Sequence, residues 1–467
     1  MKKMSGNLKI KCLSAAIVFF TTVIFLNSCR ILQPYKSQSF VNSKSLYRDQ
    51  VNGDTANLAN VPWDSLFTDP VLDTLITEAL KNNPDLQAAK VSIKKAEAAL
   101  GQAKAAFFPT FSLMAGATNQ AASGASGATV AEVAGSSAWE ADIWGRIRNS
   151  KRATYNMVLK SEAYARAVKT QLVADVANLY YTLLGLDAQL DITKKTVLNR
   201  NSEVETMKVM KDNDMITGAD LVMSQSSLYS AKVRIPDLEQ AIYETENALC
   251  LVLGRGPGPV KRGKLENQDI RIKLSQGIPA QLLANRPDVQ EAEYQLRYGF
   301  EMTKAARKSF YPSLTVTATG GYMAGDVAKL FNPSSIFWTF LGGLTQPVFN
   351  AGLNRQRLKT AQADQEQNLI AYKQVLLRAG KEVADAVNGY RNNQEKISLR
   401  AKQIEYMEKS VSYTTELLKY SSTTNYTDVL TAEAGLLSAQ LSNIDDRLQK
   451  LQYIIDLYRS LGGGWKY

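Results

Sequence analysis

The residue types best suited to chemistry are scarce in this chain. None of its 467 residues is histidine, which removes the usual general base near neutral pH and the commonest metal ligand. Three cysteines occur, Cys12, Cys29 and Cys250, and no CxxC pair exists. Neither a zinc site nor a thioredoxin-type redox centre is therefore expected. There is no GxSxG, no Walker loop and no HExxH. The glycine-rich stretch "GRGPGP" at 254–259 precedes no strong helix, so it reads as a loop after a helix stop rather than as a phosphate cradle. The sequence predicts no enzyme, no metal and no non-covalent cofactor. What remains is one cysteine behind an apolar segment and a few acids near the ends of long periodic stretches.

The cysteine comes first. Lys2, Lys3, Lys9 and Lys11 precede the apolar run "AAIVFFTTVIFL", Ala15 to Leu26. The run is far shorter than the ~20 residues a spanning helix needs, so residues 1–28 read as a secretory signal peptide. It ends in "LNSC", Leu26 to Cys29, which resembles a lipobox. On that resemblance Cys29 becomes the lipid-modified first residue of a bacterial lipoprotein. An ordinary signal peptide with a chance cysteine is the plainer alternative. Cleavage takes four lysines from a net charge of +11, leaving about +7. The remaining basic residues are scattered among acids, which argues against nucleic acid as a partner. With Cys29 acylated, Cys250 has no disulfide partner.

The elements that hold the acids occur twice. "FFPTFSL" (107–113) and "FYPSLTV" (310–316) place Pro109 and Pro312 203 positions apart. "NPDLQAAK" (83–90) matches "RPDVQEAE" (286–293) at the same offset. "VADVANLY" (173–180) matches "VADAVNGY" (383–390), and "ADLVMSQSSLYSA" (219–231) matches "TDVLTAEAGLLSA" (427–439). Four matches in one order mean two copies of a unit of about 200 residues.

Each copy changes period at its proline. Before it, Leu86, Ala89, Ile93, Ala96, Leu100, Ala103 and Phe107 keep a 3-4 helical seam, repeated by Val289, Ala292, Leu296, Thr303, Ala306 and Phe310. After it, alternation by two predicts strands at about 110–120, 130–143, 312–323 and 335–348, of the length and pattern of transmembrane β-strands. Soluble hairpins are the alternative. Two hairpins cannot close a barrel, so their edges are either covered or pooled among several chains. Then proline-free stretches run from Arg146 to about Asn213 and from Leu353 to Ser421, each roughly 100 Å of helix at 1.5 Å per residue. Returning helices follow, the first holding Pro236, expected to kink it. Glu140 and Asp142 alternate with Trp139 and Ile143, so the two acids are candidates to face a lumen if the other two face lipid; period two alone does not choose the side, and the opposite facing stays open.

This order of elements behind a lipobox resembles the TolC/OprM family of outer-membrane efflux proteins, in its NodT-type lipoprotein branch. The specific motifs are "AWEADIWGRIR" (138–148), with Trp144 where Phe is common, "LTQPVFNAGLNRQR" (344–357), and "NRPDVQEAEYQL" with "FYPSL". The resemblance covers essentially the whole mature chain. It implies a mostly α fold with transmembrane β: a homotrimer pooling four strands per protomer into an outer-membrane β-barrel, continued by a long periplasmic α-helical barrel. The segments expected are an N-terminal equatorial and anchor segment 29–69, a first repeat 70–254, an equatorial linker 255–285, a second repeat 286–462 and a tail 463–467. Pro109 and Pro312 mark the strand/helix junctions.

The implied function is passive conduction of drugs or other small molecules, as exit duct for an inner-membrane RND pump and a periplasmic adaptor. A type I protein-secretion duct and a non-conducting periplasmic coiled-coil scaffold are the rivals. By the same resemblance Asp428, in "TDVL", is the candidate periplasmic gate. Asp214, Ile216, Thr217 and Gly218, with Ser422, Thr423 and Thr424, are the candidate adaptor contacts. The second gate acid of some members is replaced by Thr431, and the tip glycine by Ser422 and Asp214. Compensation of a helix N-terminus also explains an acid at Asp428 or Asp220.

Overall fold

The computed structural model describes residues 62–120, 128–268, 270, 285–420 and 426–465. Cys29, the signal segment, and Ser422, Thr423 and Thr424 lie outside the described residues, as do 29–61 of the segment 29–69 and parts of 255–285 and 463–467.

A short helix α1 (Trp63–Leu66) leads into α2 (Pro70–Asn82) and α3 (Pro84–Ala105). Both of the latter begin with proline at N1 behind a capping side chain: Asp69 accepts from the Val71 amide at 2.9 Å, and Asn83 from that of Leu86 at 2.9 Å. Strands β1 (Thr110–Gln120) and β2 (Ala128–Ala141) follow. Next come the 67-residue α4 (Arg146–Asp212) and the returning α5 (Gly218–Leu253), which continues through Pro236. The second copy repeats the order as α6 (Pro287–Lys308), β3 (Ser313–Ala324), β4 (Ile336–Thr345), the 68-residue α7 (Leu353–Tyr420) and α8 (Tyr426–Ser460).

Two strand limits differ from the sequence reading. β2 stops at Ala141, not 143, because Asp142 turns away to serve the next helix. β4 stops at Thr345, not 348; Pro347 has no amide to continue a ladder.

The four strands form one antiparallel sheet in chain order, β2 pairing β3 so that the two copies are joined. The register sorts the side chains. Phe111, Leu113, Val133, Trp139, Val316, Tyr322, Trp338, Phe340 and Leu344 share one face. Thr110, Ser112, Glu132, Ser136, Glu140, Thr315, Thr317, Thr319 and Thr339 share the other. Apolar side chains on the first face stand in the open, Trp338 at 81% exposure and Leu113 at 79%.

The helices lie side by side. Towards the sheet the order is α3–α4–α6–α7; towards the hairpin tips it is α5–α4–α8–α7. The main core sits where α1, α2, α4, α5 and α8 meet, around Phe67, Leu72, Ile76, Tyr180, Tyr181, Leu184, Leu249, Leu253, Ile454 and Ile455. Below it the helices are long because they line a layer rather than enclose a core. The outermost helices carry exposed apolar residues at multiples of seven: Val222, Tyr229 and Tyr243 on α5, with Pro236 at the position between the last two, and Leu399, Tyr406, Tyr413 and Tyr420 on α7.

Candidate functional site

At the sheet end, each proline sits directly before a strand. α3 ends at Ala105 and β1 starts after Pro109; α6 ends at Lys308 and β3 starts after Pro312. Two indoles fix these breaks. Trp139 Nε1 donates to the Phe107 carbonyl at 2.9 Å, and Trp144 Nε1 to that of Pro312 at 2.7 Å. The Trp144 ring also stacks on Tyr311, centroids 5.1 Å apart. Trp144, which the sequence marks only as a departure from a common Phe, thus ties the first copy to the second copy's junction.

Glu140 and Asp142 have different tasks. Glu140 lies on the Thr/Ser face of the sheet and holds Arg146 through both oxygens, at 2.7 and 3.2 Å. Asp142 is beyond the strand and caps α4: its oxygens accept from the Ile147 and Arg148 amides at 2.9 and 2.8 Å. The expected alternation therefore reaches Glu140 but not Asp142.

At the far end, Asp214 occupies the left-handed region with φ of 57°, where glycine is the usual choice. Ile216 packs on a small cluster of Met207, Tyr426, Val429 and Leu430. Thr217 caps α5 reciprocally with Asp220: the Asp220 amide donates to Thr217 Oγ1 at 3.2 Å and the Thr217 amide to Asp220 Oδ2 at 3.0 Å. Gly218 opens the helix, with open space where a Cβ would stand. The structure thus brings four of the tip candidates into one turn. Asp428 is exposed in the first turn of α8, beside buried Tyr426, Val429 and Leu430.

About one turn above Asp428 lies a group that the sequence reading passed over. Arg200 is buried on α4 and donates to the Ser227 carbonyl of α5 at 2.7 Å. Glu433 of α8 faces Glu203 of α4. Burial, and then the hydrogen bond and charge of Glu203, push the Glu433 carboxyl up to about 8, while Arg200 pulls the other way. Tyr426, its hydroxyl 3.5 Å from Ser224 Oγ, is also raised, chiefly by burial. The signal was present in the duplication: Glu433 stands where the first copy has Gln225.

The pattern of the family described as "Outer membrane efflux protein" matches residues 75–255 and 278–463, one match per copy. The chain is 29% identical over 471 residues to the probable outer membrane lipoprotein SilC of Salmonella typhimurium, covering 98% of this chain and 99% of that one. It is 28% identical over 457 residues to the cation efflux system protein CusC of Escherichia coli O6:H1, covering 96% and 98%. It is 27% identical to the toluene efflux pump outer membrane protein TtgC of Pseudomonas putida, covering 95% and 94%. Among solved structures, the outer-membrane channel OprN superposes with a TM-score of 0.86 at 23% identity, over 94% of this chain and all of that one. CusC superposes at 0.85 with 26% identity, over 93% of this chain and all of that one. The open four-stranded sheet and the very long paired helices have the same explanation as the motifs: this chain belongs to the outer membrane efflux protein family, whose members are channels and not enzymes.

Proposed function

We propose that three copies of this chain form the outer-membrane exit channel of a tripartite RND-type efflux system, passing small molecules from an inner-membrane pump and a periplasmic adaptor to the exterior. The observation that carries the trimer is the incompleteness of one copy. Among the described residues β1 and β4 each have one neighbour, and an open edge invites another strand. The outermost helices offer apolar residues at heptad spacing, as a partner helix requires. Pooling closes both the sheet and the helical layer. The apolar face then meets lipid, and the Thr/Ser face with Glu132 and Glu140 lines the lumen.

The remaining assignments fit this arrangement. Cys29 carries the lipid anchor; the relative SilC is itself named as a lipoprotein. The segments 29–69 and 255–285, with the C-terminus, thicken the tube around the core at Tyr180 and Ile454. Asp214, Ile216, Thr217 and Gly218, with Ser422, Thr423 and Thr424, meet the adaptor, and Asp428 narrows the entrance. Relatives of almost equal identity are named for a cation and for toluene, so cargo follows the pump rather than the duct.

The test is conductance of the purified protein in planar bilayers. Wild type is expected to run as a heat-modifiable trimer and to open in rare steps, and Asp428→Ala to raise the closed-state conductance. A monomer that never conducts would overturn the channel; an unchanged closed state in the variant would remove Asp428 from the gate. Deleting the gene and assaying sensitivity to antibiotics, dyes and bile salts separates small-molecule efflux from protein secretion.

A further inference from the structure

Below the sheet, basic charge is placed by the duplication itself. Lys104 stands five residues before Pro109, and Arg307 five before Pro312. Arg148 and Arg152 are the third and seventh residues of α4; Arg355 and Lys359 are the third and seventh of α7. Both copies therefore hold a basic residue at the same three places. All six are exposed, and among the described residues none of them makes an ion pair. The i, i+4 spacing of each helical pair puts both charges on one side of the first two turns, within roughly 10 Å of the helix start at 1.5 Å per residue.

Acids are missing from the same zone. Between Glu97 and Glu162 the only acids are Glu132, Glu140 and Asp142; between Glu301 and Asp364 the only one is Asp326, in the β3–β4 loop at the opposite end of the sheet. Those near the junction are already engaged: Glu140 by Arg146, Asp142 by helix amides, Glu301 by Lys304 at 3.5 Å. Aromatic rings separate the charges from the strands: Phe107 and Phe108 in one copy, Phe310 and Tyr311 in the other. The Lys151 amine lies over the Phe107 ring, 5.5 Å from its centroid, so a further cation sits at the aromatic band itself. Apolar strand, aromatic band and unpaired cations follow one another as hydrocarbon, interface and phosphate do in a leaflet.

We propose that Lys104, Arg148, Arg152, Arg307, Arg355 and Lys359 form a belt that binds the phosphate groups of lipids in the periplasmic leaflet. The belt sets the depth of the barrel and the tilt of the tube. It rests on the outer-membrane reading above, and supplies that reading with its lipid contact.

Two triple variants keep the test clear of folding failure: Lys104→Gln/Arg148→Gln/Arg152→Gln, and Arg307→Gln/Arg355→Gln/Lys359→Gln. Thermal melting of the detergent-solubilised protein is followed while short-chain phosphatidylglycerol or phosphatidylcholine is added, at low and high salt. Wild type is expected to prefer phosphatidylglycerol and to lose that preference in high salt. With about fivefold in affinity per basic residue near an anionic surface, each triple variant should lose at least tenfold. Equal response to the two lipids in wild type overturns the belt, as does full replacement of the lipid effect by inorganic phosphate. A variant that keeps its lipid preference but changes ion selectivity in bilayers also overturns it, because the charges then face the lumen. Bilayer conductance of the same samples separates the two readings: channels that conduct without lipid preference refute the belt alone.

Discussion

The two copies enter their long helices differently. Gly145 and Gly352 occupy the same place, one residue before α4 and α7, and both have positive φ, 75° and 80°. Around that shared turn the chemistry diverges. The first copy has Asp142 to accept two helix amides and Trp144 to reach across to Pro312. The second has Phe349 and Ala351 at those positions. Its first turn is closed by backbone, Leu353 N donating to the Asn350 carbonyl at 3.1 Å, and Asn354 Nδ2 ties it to the Ser309 carbonyl at 2.8 Å. Ala351 sits at φ 53° with no glycine to ease it. Duplication preserved the path of the chain, and each copy found its own means of holding it.

The largest effect should come from removing the cap that only one copy has. Asp142→Ala leaves two helix amides without an acceptor and takes a negative charge from the helix N-terminus, a loss of about 1–2 kcal/mol. Chemical denaturation of the solubilised protein measures it. Phe349→Ala, at the matching place, should cost far less, since Phe349 is 88% exposed in one copy. Equal losses would mean that Asp142 contributes nothing beyond its position in the turn.

The opposite sign is expected at the second start. A non-glycine residue in the left-handed region costs about 1–2 kcal/mol, and glycine returns part of that through a more flexible unfolded chain. Ala351→Gly should therefore stabilise by about 0.5–1 kcal/mol. A destabilised variant would show that the alanine methyl packs against a neighbouring copy.

These particulars mark how far the sequence could be read. The prolines, the change from helical to alternating period and the uninterrupted stretches made the elements legible, because each is a local property of the backbone. The duplication was legible because "FFPTFSL" and "FYPSLTV" share a spacing. Asp142 was misplaced because alternation by two continues on paper after the strand has ended. The Trp144–Pro312 contact spans 168 residues and no local pattern encodes it. The Glu203–Glu433 contact joins different copies, so it depends on which helices become neighbours in the layer.

That contact supplies the finest comparison, read as a slope against pH rather than as a single loss. Glu433→Gln writes the first copy's Gln225 into the second copy at the matching place. The folded protein holds the Glu433 proton up to about 8, whereas the unfolded chain releases it near 4.5. Between those values the folded state binds more protons, so stability falls as pH rises. The contribution is complete below about 4.5 and gone above about 8. In Glu433→Gln the hydrogen bond to Glu203 persists without a titrating proton, so this slope should flatten, with little change in acid and a gain in alkali. Melting temperatures of the two proteins across that range decide it. Parallel curves would mean that neither burial nor Glu203 raises the Glu433 carboxyl on folding, and would overturn the shared-proton contact between α4 and α8.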